Sequence, residues 1–227
     1  MKEGLLFSAG MDSFIGWEYL GRPEAVYVNM HHRYAKNELL RIKEGVFQNT
    51  VRIVDLNLGR FEKQDAEIPQ RNMYLAMIMA NLGYEKIWII VQKEEMSIPD
   101  RSPEFFKKAS DMISFLMGKE IIVDTPFRDM DKVQMVKWYK NRDLSIDTLK
   151  LTWACYYPYL GTTERSVICA DCPACFRRFV AMKLNGIEED WHHKIYDSKV
   201  AKEYRARAKN GHYSEKRCKD ILKALEV

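Results

Sequence analysis

Two rhythms of apolar and polar positions alternate along this chain. Short apolar runs at Gly4–Phe7, Ala25–Met30, Val51–Leu56, Lys86–Val91 and Glu120–Asp124 have the length and β-rich make-up of buried strands. Between them, helical spacing predicts helices near Ser13–Leu20, Ala35–Gln48, Asn72–Leu82 and Pro103–Met117, and a further one near Lys132–Asn141 follows the last run. Strand and helix in turn is the pattern of parallel βαβ units. The fold class is therefore α/β: a doubly wound, five-stranded parallel sheet over residues 1–150, with residues 151–227 as a helical C-terminal region packed on it. The sequence contains neither an internal repeat nor a low-complexity linker.

Ligands of an open doubly wound sheet bind beyond the carboxyl ends of its strands. Those are the places where this chain is most polar. His31, His32 and Arg33 follow the second run, Ile68-Pro69-Gln70-Arg71-Asn72 precedes the third helix, an acidic loop with Asp100 and Arg101 follows the fourth run, and Thr125 to Lys132 follows the fifth. Each taken singly fits a surface charge or a satisfied loop histidine, whereas together they would ring one crevice, as a binding site requires.

Composition narrows the class. At 227 residues with 47% apolar and 30% charged residues, the chain can bury a real core. With no basic stretch leading into an apolar one at the start, and no apolar run long enough to span a bilayer, a cytoplasmic protein without a membrane association is expected. The formal net charge of +4 is carried by the last segment, where residues 194–227 hold ten Lys or Arg against five Asp or Glu. Mixed signs at helical spacing suit a solvated helical face, and nucleic acid or an acidic partner is the alternative.

The loop between the first run and the first helix is small and polar: Ser8, Ala9, Gly10, Met11, Asp12 and Ser13. Such a strand-to-helix turn can aim backbone N–H groups, the positive end of the helix dipole and two hydroxyls at one anion, or it can be an ordinary tight turn. Neither G-x-x-x-x-G-K-[ST] nor G-x-G-x-x-G occurs there. The stretch resembles SGGxDS, the pyrophosphate loop of ATP-pyrophosphatase-type enzymes, with Ala9 in place of one glycine.

Cys155, Cys169, Cys172 and Cys175 form C-x13-C-x2-C-x2-C, with Cys218 left over as an inert helical cysteine. Three cysteines within seven residues are too close for a disulfide framework, but their thiolates can converge on one ion. Four sulfurs complete a tetrahedral Zn²⁺ site that is structural, fastening the Thr152–Ile168 excursion to the next helix. A [4Fe–4S] cluster is the sharper rival, since it uses the same spacing and Cys172 precedes Pro173. Buried unligated cysteines are the third reading.

With these pieces in order, the chain resembles the 7-cyano-7-deazaguanine synthase family, queuosine-pathway enzymes that use ATP to convert 7-carboxy-7-deazaguanine, with ammonia, to an amide and then a nitrile. The matching stretches are SAGMDS (8–13), HRYAKNE (32–38), IPQRN (68–72), PDRSPEF (99–105), TPFRDMDK (125–132) and the cysteine run through Arg178. The resemblance implies a pyrophosphate-loop fold and an ATP-dependent C–N ligase. Ser8 to Ser13 would hold the pyrophosphate of ATP, with Mg²⁺ bridging the phosphates beside Asp12. Arg71 and Lys132 would steady anionic oxygens, Asp100 would accept hydrogen bonds from a purine-like base, and Arg178 would close the crevice. It also implies a homodimer.

Three departures stand out. The family's PDCRPEF has become PDRSPEF, so Arg101-Ser102 replaces a Cys-Arg pair; HRYAKNE carries one extra residue between Arg33 and Glu38; and Met182 stands where an aromatic is expected. They leave three other functions open. The first is capture of the adenylate by an amine of a protein or nucleic-acid partner, as in an antiviral or DNA-modification system. The others are iron–sulfur tRNA thiolation and a non-catalytic binding subunit in which Ala9 has spoiled the loop.

Overall fold

A computed structural model describes residues 1–43, 47–157 and 168–226. Five parallel strands, β1 (Glu3–Leu6), β2 (Glu24–Asn29), β3 (Val51–Asp55), β4 (Lys86–Trp88) and β5 (Ile122–Asp124), form one sheet in the order β3-β2-β1-β4-β5. The winding runs outward from β1 through β2 to β3 and then reverses through β4 to β5. The carboxyl ends of β1 and β4 therefore flank the topological switch point.

Residues of alternate parity along the strands face opposite layers. Leu5, Ala25, Tyr27 and Trp88 pack with α1 (Met11–Tyr19), α2 (Ala35–Lys43) and α5 (Lys132–Lys140). Val26, Val28, Ile87 and Val123 pack with α3 (Arg71–Asn81) and α4 (Pro103–Met117). Gly16 of α1 is required by close approach, because a Cβ there would lie 2.5 Å from Ile90 Cδ1. The expected helix over Ala35–Gln48 is described over Ala35–Lys43, and residues 44–46 lie outside the described ones.

Strand β4 is shorter than the run Lys86–Val91 predicts. From Val91 on, a side chain takes over the pairing: Val91 N–H donates to Thr125 Oγ1 (3.1 Å), and that hydroxyl donates to Val91 O (2.7 Å). Beyond the sheet follow α6 (Ile146–Lys150), α7 (Pro173–Lys183), α8 (His192–Ile195), α9 (Lys199–Lys209) and α10 (Glu215–Ala224). Helix α7 contributes Ala181 and Met182 to the core beside α5, and Phe176 and Phe179 to a third cluster with α9 and α10. Among the described residues, no helix is long and apolar enough to cross a membrane.

Candidate functional site

A cleft of about 260 Å³ opens over the switch point. Loop 8–13 forms one side of it. Gly10 is the residue before α1 and gives it no side-chain cap, so the N–H groups of the first helical turn, which lack intrahelical acceptors, stay available to an anion. The serine hydroxyls are spent on the loop itself: Ser13 Oγ donates to Gly10 O (3.0 Å) and accepts from Ser8 N–H (3.2 Å), while Ser8 Oγ accepts from Gly10 N–H (3.3 Å). Ala9 is fully buried at φ +54°, a left-handed conformation that glycine adopts freely and alanine adopts at a cost of about 1 kcal/mol. It is held there from outside, because Trp153 N–H donates to Ala9 O (2.8 Å).

Asp131 starts α5 with a capping box shared with Gln134, which fixes Lys132 in the first turn. Lys132 Nζ reaches Asp12 Oδ2 at 2.5 Å. The other oxygen, Asp12 Oδ1, is buried without a hydrogen-bond partner among the described residues. An orphaned hard carboxylate oxygen beside an anion loop fits a divalent cation such as Mg²⁺.

Of the remaining candidates, Arg71 lines the cleft, with Nε donating to Asn72 Oδ1 (3.4 Å) and no ion pair to another described residue. Asp100 is outside the lining. Its carbonyl accepts from Asn72 Nδ2 (2.8 Å) and ties the 99–101 turn to the start of α3. Arg178 borders the cleft, but its guanidinium is buried and committed elsewhere: Nε and Nη2 fork onto Glu189 (2.8 and 2.7 Å), and Nη1 donates to Thr152 O and Oγ1. Although burial alone would raise the Glu189 carboxyl, hydrogen bonds from His192 and Arg178 hold it down at about 2.

His31 and Arg33 turn outward to Asp55 and Glu62. Between them His32 turns in, its Nε2 3.1 Å from Glu38 Oε2, which also accepts from Tyr27 Oη (2.9 Å). Burial, with Glu38 nearby, pushes the Tyr27 and Tyr34 hydroxyls well above the usual range, so both are neutral donors. Glu95, Arg101, Tyr156 and Arg177 also line the cleft, and no role for them was legible in the sequence. A signal for Arg177 was present, since Ala174 and Arg177 are three apart on α7 and both face the cleft.

The four cysteines come together beside this cleft, their sulfurs all within 4.8 Å of one another. Cys172–Cys175 and Cys169–Cys175 separations are 3.4 and 3.8 Å, against the roughly 3.8 Å between sulfurs that a tetrahedral Zn–S bond of about 2.3 Å implies. Cys172 also precedes α7 as its cap, its sulfur accepting from Cys175 N–H, while Asp171 N–H points at Cys169 and Tyr157 N–H at Cys155. Sulfurs so placed fit a thiolate metal site such as zinc. The excursion they would fasten lies partly outside the described residues, at 158–167.

A parallel sheet with its cleft over the switch point and a four-thiolate cluster beside it defines the class: open α/β proteins with an anion-type loop and a metal-type site. Within that class, the chain belongs to the family described as queuosine biosynthesis protein QueC, whose model matches residues 22–186. It is similar to proteins named 7-cyano-7-deazaguanine synthase from Rickettsia canadensis (31% identical over 132 residues, 54% of this chain and 55% of that protein) and Pyrococcus furiosus (31% over 130 residues, 54% and 52%). The one from Marinobacter nauticus is 25% identical over 144 residues, 60% of this chain and 61% of its own. The chain thus spans about half the length of the curated relatives it matches.

Proposed function

We propose that this protein is an ATP-dependent C–N ligase that adenylates 7-carboxy-7-deazaguanine and passes the activated acyl group to ammonia, giving an amide and then a nitrile. The observation that carries the reading is the meeting, in one cleft over the switch point, of loop 8–13 with Arg71 and Lys132, in a chain of this family. The first-turn N–H groups of α1 face where the pyrophosphate leaves, and Lys132 brings a point charge while Arg71 brings a fork. Asp12 is the residue to hold Mg²⁺ through its unpartnered oxygen, and that ion supplies neutralisation of phosphate charge.

In the reaction, a carboxylate oxygen attacks the α-phosphorus of ATP, pyrophosphate departs, and ammonia then displaces AMP from the acyl carbon to give the amide. The amide oxygen attacks a second ATP in the same way and leaves within AMP, with loss of the two amide protons, as the nitrile forms. Tyr27, Tyr34 and Trp153 wall the cleft with rings that keep water from the adenylate. Arg178 acts here as a positioning residue. Through Thr152 it holds the backbone that braces Ala9.

The test is mass spectrometry of the purified protein with Mg-ATP, the acid and ammonia, with AMP assayed in parallel. Amide or nitrile together with AMP is the expected result. AMP or a bound adenylate without either product would replace ammonia with an amine on a macromolecular partner, and no ATP turnover would overturn the reading.

A further inference from the structure

We propose that Arg101 and Arg177, held ready by Glu95, form the subsite that takes the carboxylate of the acid substrate. The inference rests on the adenylation reading and adds to it the residues that select the acid.

It begins with the charges of the cleft. Asp12 is matched to Lys132, Glu38 faces His32, and Arg178 is answered by Glu189. Three cations then remain, Arg71, Arg101 and Arg177, with Glu95 as the one carboxylate lining the cleft beside them and Asp100, outside the lining, 3.8 Å from Arg101 Nε. One oxygen of Glu95 serves two forks: Oε1 receives Arg101 Nη1 at 2.8 Å and Arg177 Nη1 at 3.4 Å. A guanidinium is built to donate two parallel bonds to a carboxylate, so this sharing leaves donors over, and the excess positive charge favours entry of a second anion. Arg177 is already aimed, because its Nη2 donates to Tyr156 Oη (2.7 Å) and its Nε to Pro173 O (3.2 Å).

The subsite draws on other segments of the chain than the anion loop. Glu95 and Arg101 lie on the connection from β4 to α4, in the turns 93–95 and 99–101, and Arg177 lies on α7; none belongs to loop 8–13. Arg101 is released for this task by its neighbour. Ser102 takes the capping position of α4, its Oγ accepting from Phe105 N–H (3.1 Å), which an arginine at 102 has no oxygen to do. On binding, the substrate carboxylate replaces Glu95 as acceptor for the two guanidinium groups. Glu95 is thus a competitor of the ligand as well as its placeholder.

The experiment measures calorimetric binding of 7-carboxy-7-deazaguanine to the full chain saturated with an ATP analogue that cannot be cleaved between the α- and β-phosphates. Binding of the analogue itself is measured alongside. Arg101→Ala is expected to weaken the acid about tenfold or more, Arg101→Lys to recover part of that loss, and Glu95→Gln to tighten the acid severalfold. Analogue binding should be unchanged in all three. A merely structural Glu95 would give the opposite sign, so weaker acid binding by Glu95→Gln overturns the proposal, as does an Arg101→Ala protein that binds the acid as the wild type does. Should the wild type bind the analogue and no acid, the adenylation reading itself fails and this assignment falls with it.

Discussion

Arg178 shows how little a lone residue's identity says about its task. Five N–H donors on a side chain 1% exposed must find acceptors, and here Glu189, Thr152 and the carbonyls of Leu149 and Lys150 supply them. The Glu189 carboxyl sits at about 2 in the folded protein, against an ordinary value of 4.5. Because its folded value is depressed, its contribution is fully present above pH 4.5 and is lost as pH falls from there toward 2. Glu189→Gln should therefore cost on the order of 3 kcal/mol at neutral pH, and that difference should shrink steadily below pH 4.5. Denaturant unfolding of both proteins at pH 7 and pH 3 measures it. A difference independent of pH would mean that packing, and not the charge, is what Glu189 provides.

Helix α4 is the element whose ends are best written in the sequence. Ser102 and Pro103 start it, and Gly118, at φ +64°, stops it in the left-handed conformation. Ser102→Ala should lower stability by about 1 kcal/mol while the helix keeps its span, to be read from the denaturant midpoint and the circular dichroism of the folded state. The same local chemistry made all five strands and helices α1 to α5 readable, though not the short α6 that follows them. What it could not supply was the partner. Arg33 pairs with Glu62, and His32 meets Glu38 only because the loop after β2 folds over the start of α2. Arg177 and Arg178 are adjacent, so about 100° of helical rotation sends one to the cleft and the other into the core. Which residue goes where is decided by Glu95, 82 residues back in the chain, and by Glu189, 11 residues on beyond the end of the helix. Thr125, which ends β4 by entering its ladder, is likewise a tertiary event that no apolar run records.

The cysteine cluster and the cleft are one mechanical unit, and that gives the metal a consequence at the scale of the whole molecule. Trp153 joins them: its backbone N–H bonds to Ala9 O, its residue pairs with Gly10, and its Nε1 donates to Cys155 O (2.8 Å). Cys172 and Cys175 in turn fix the start of α7, which carries Ala181 and Met182 into the main core. Four thiolates this close would repel one another unless a cation joined them, so an ion bound there would be linked to the packing of Cys155 and of residues 168–226. Purified protein should be colourless and carry about one zinc per chain. A strong chelator should remove it with loss of helical signal and a new melting transition well below that of the loaded protein, restored by zinc. Because the brace on Ala9 is lost with it, Mg-ATP binding should weaken in the same titration. A brown preparation with visible absorbance would make the centre an iron–sulfur cluster. Chelation that leaves both the melting curve and nucleotide binding unchanged would show that the loop holds Ala9 in its left-handed conformation without help from the cysteines.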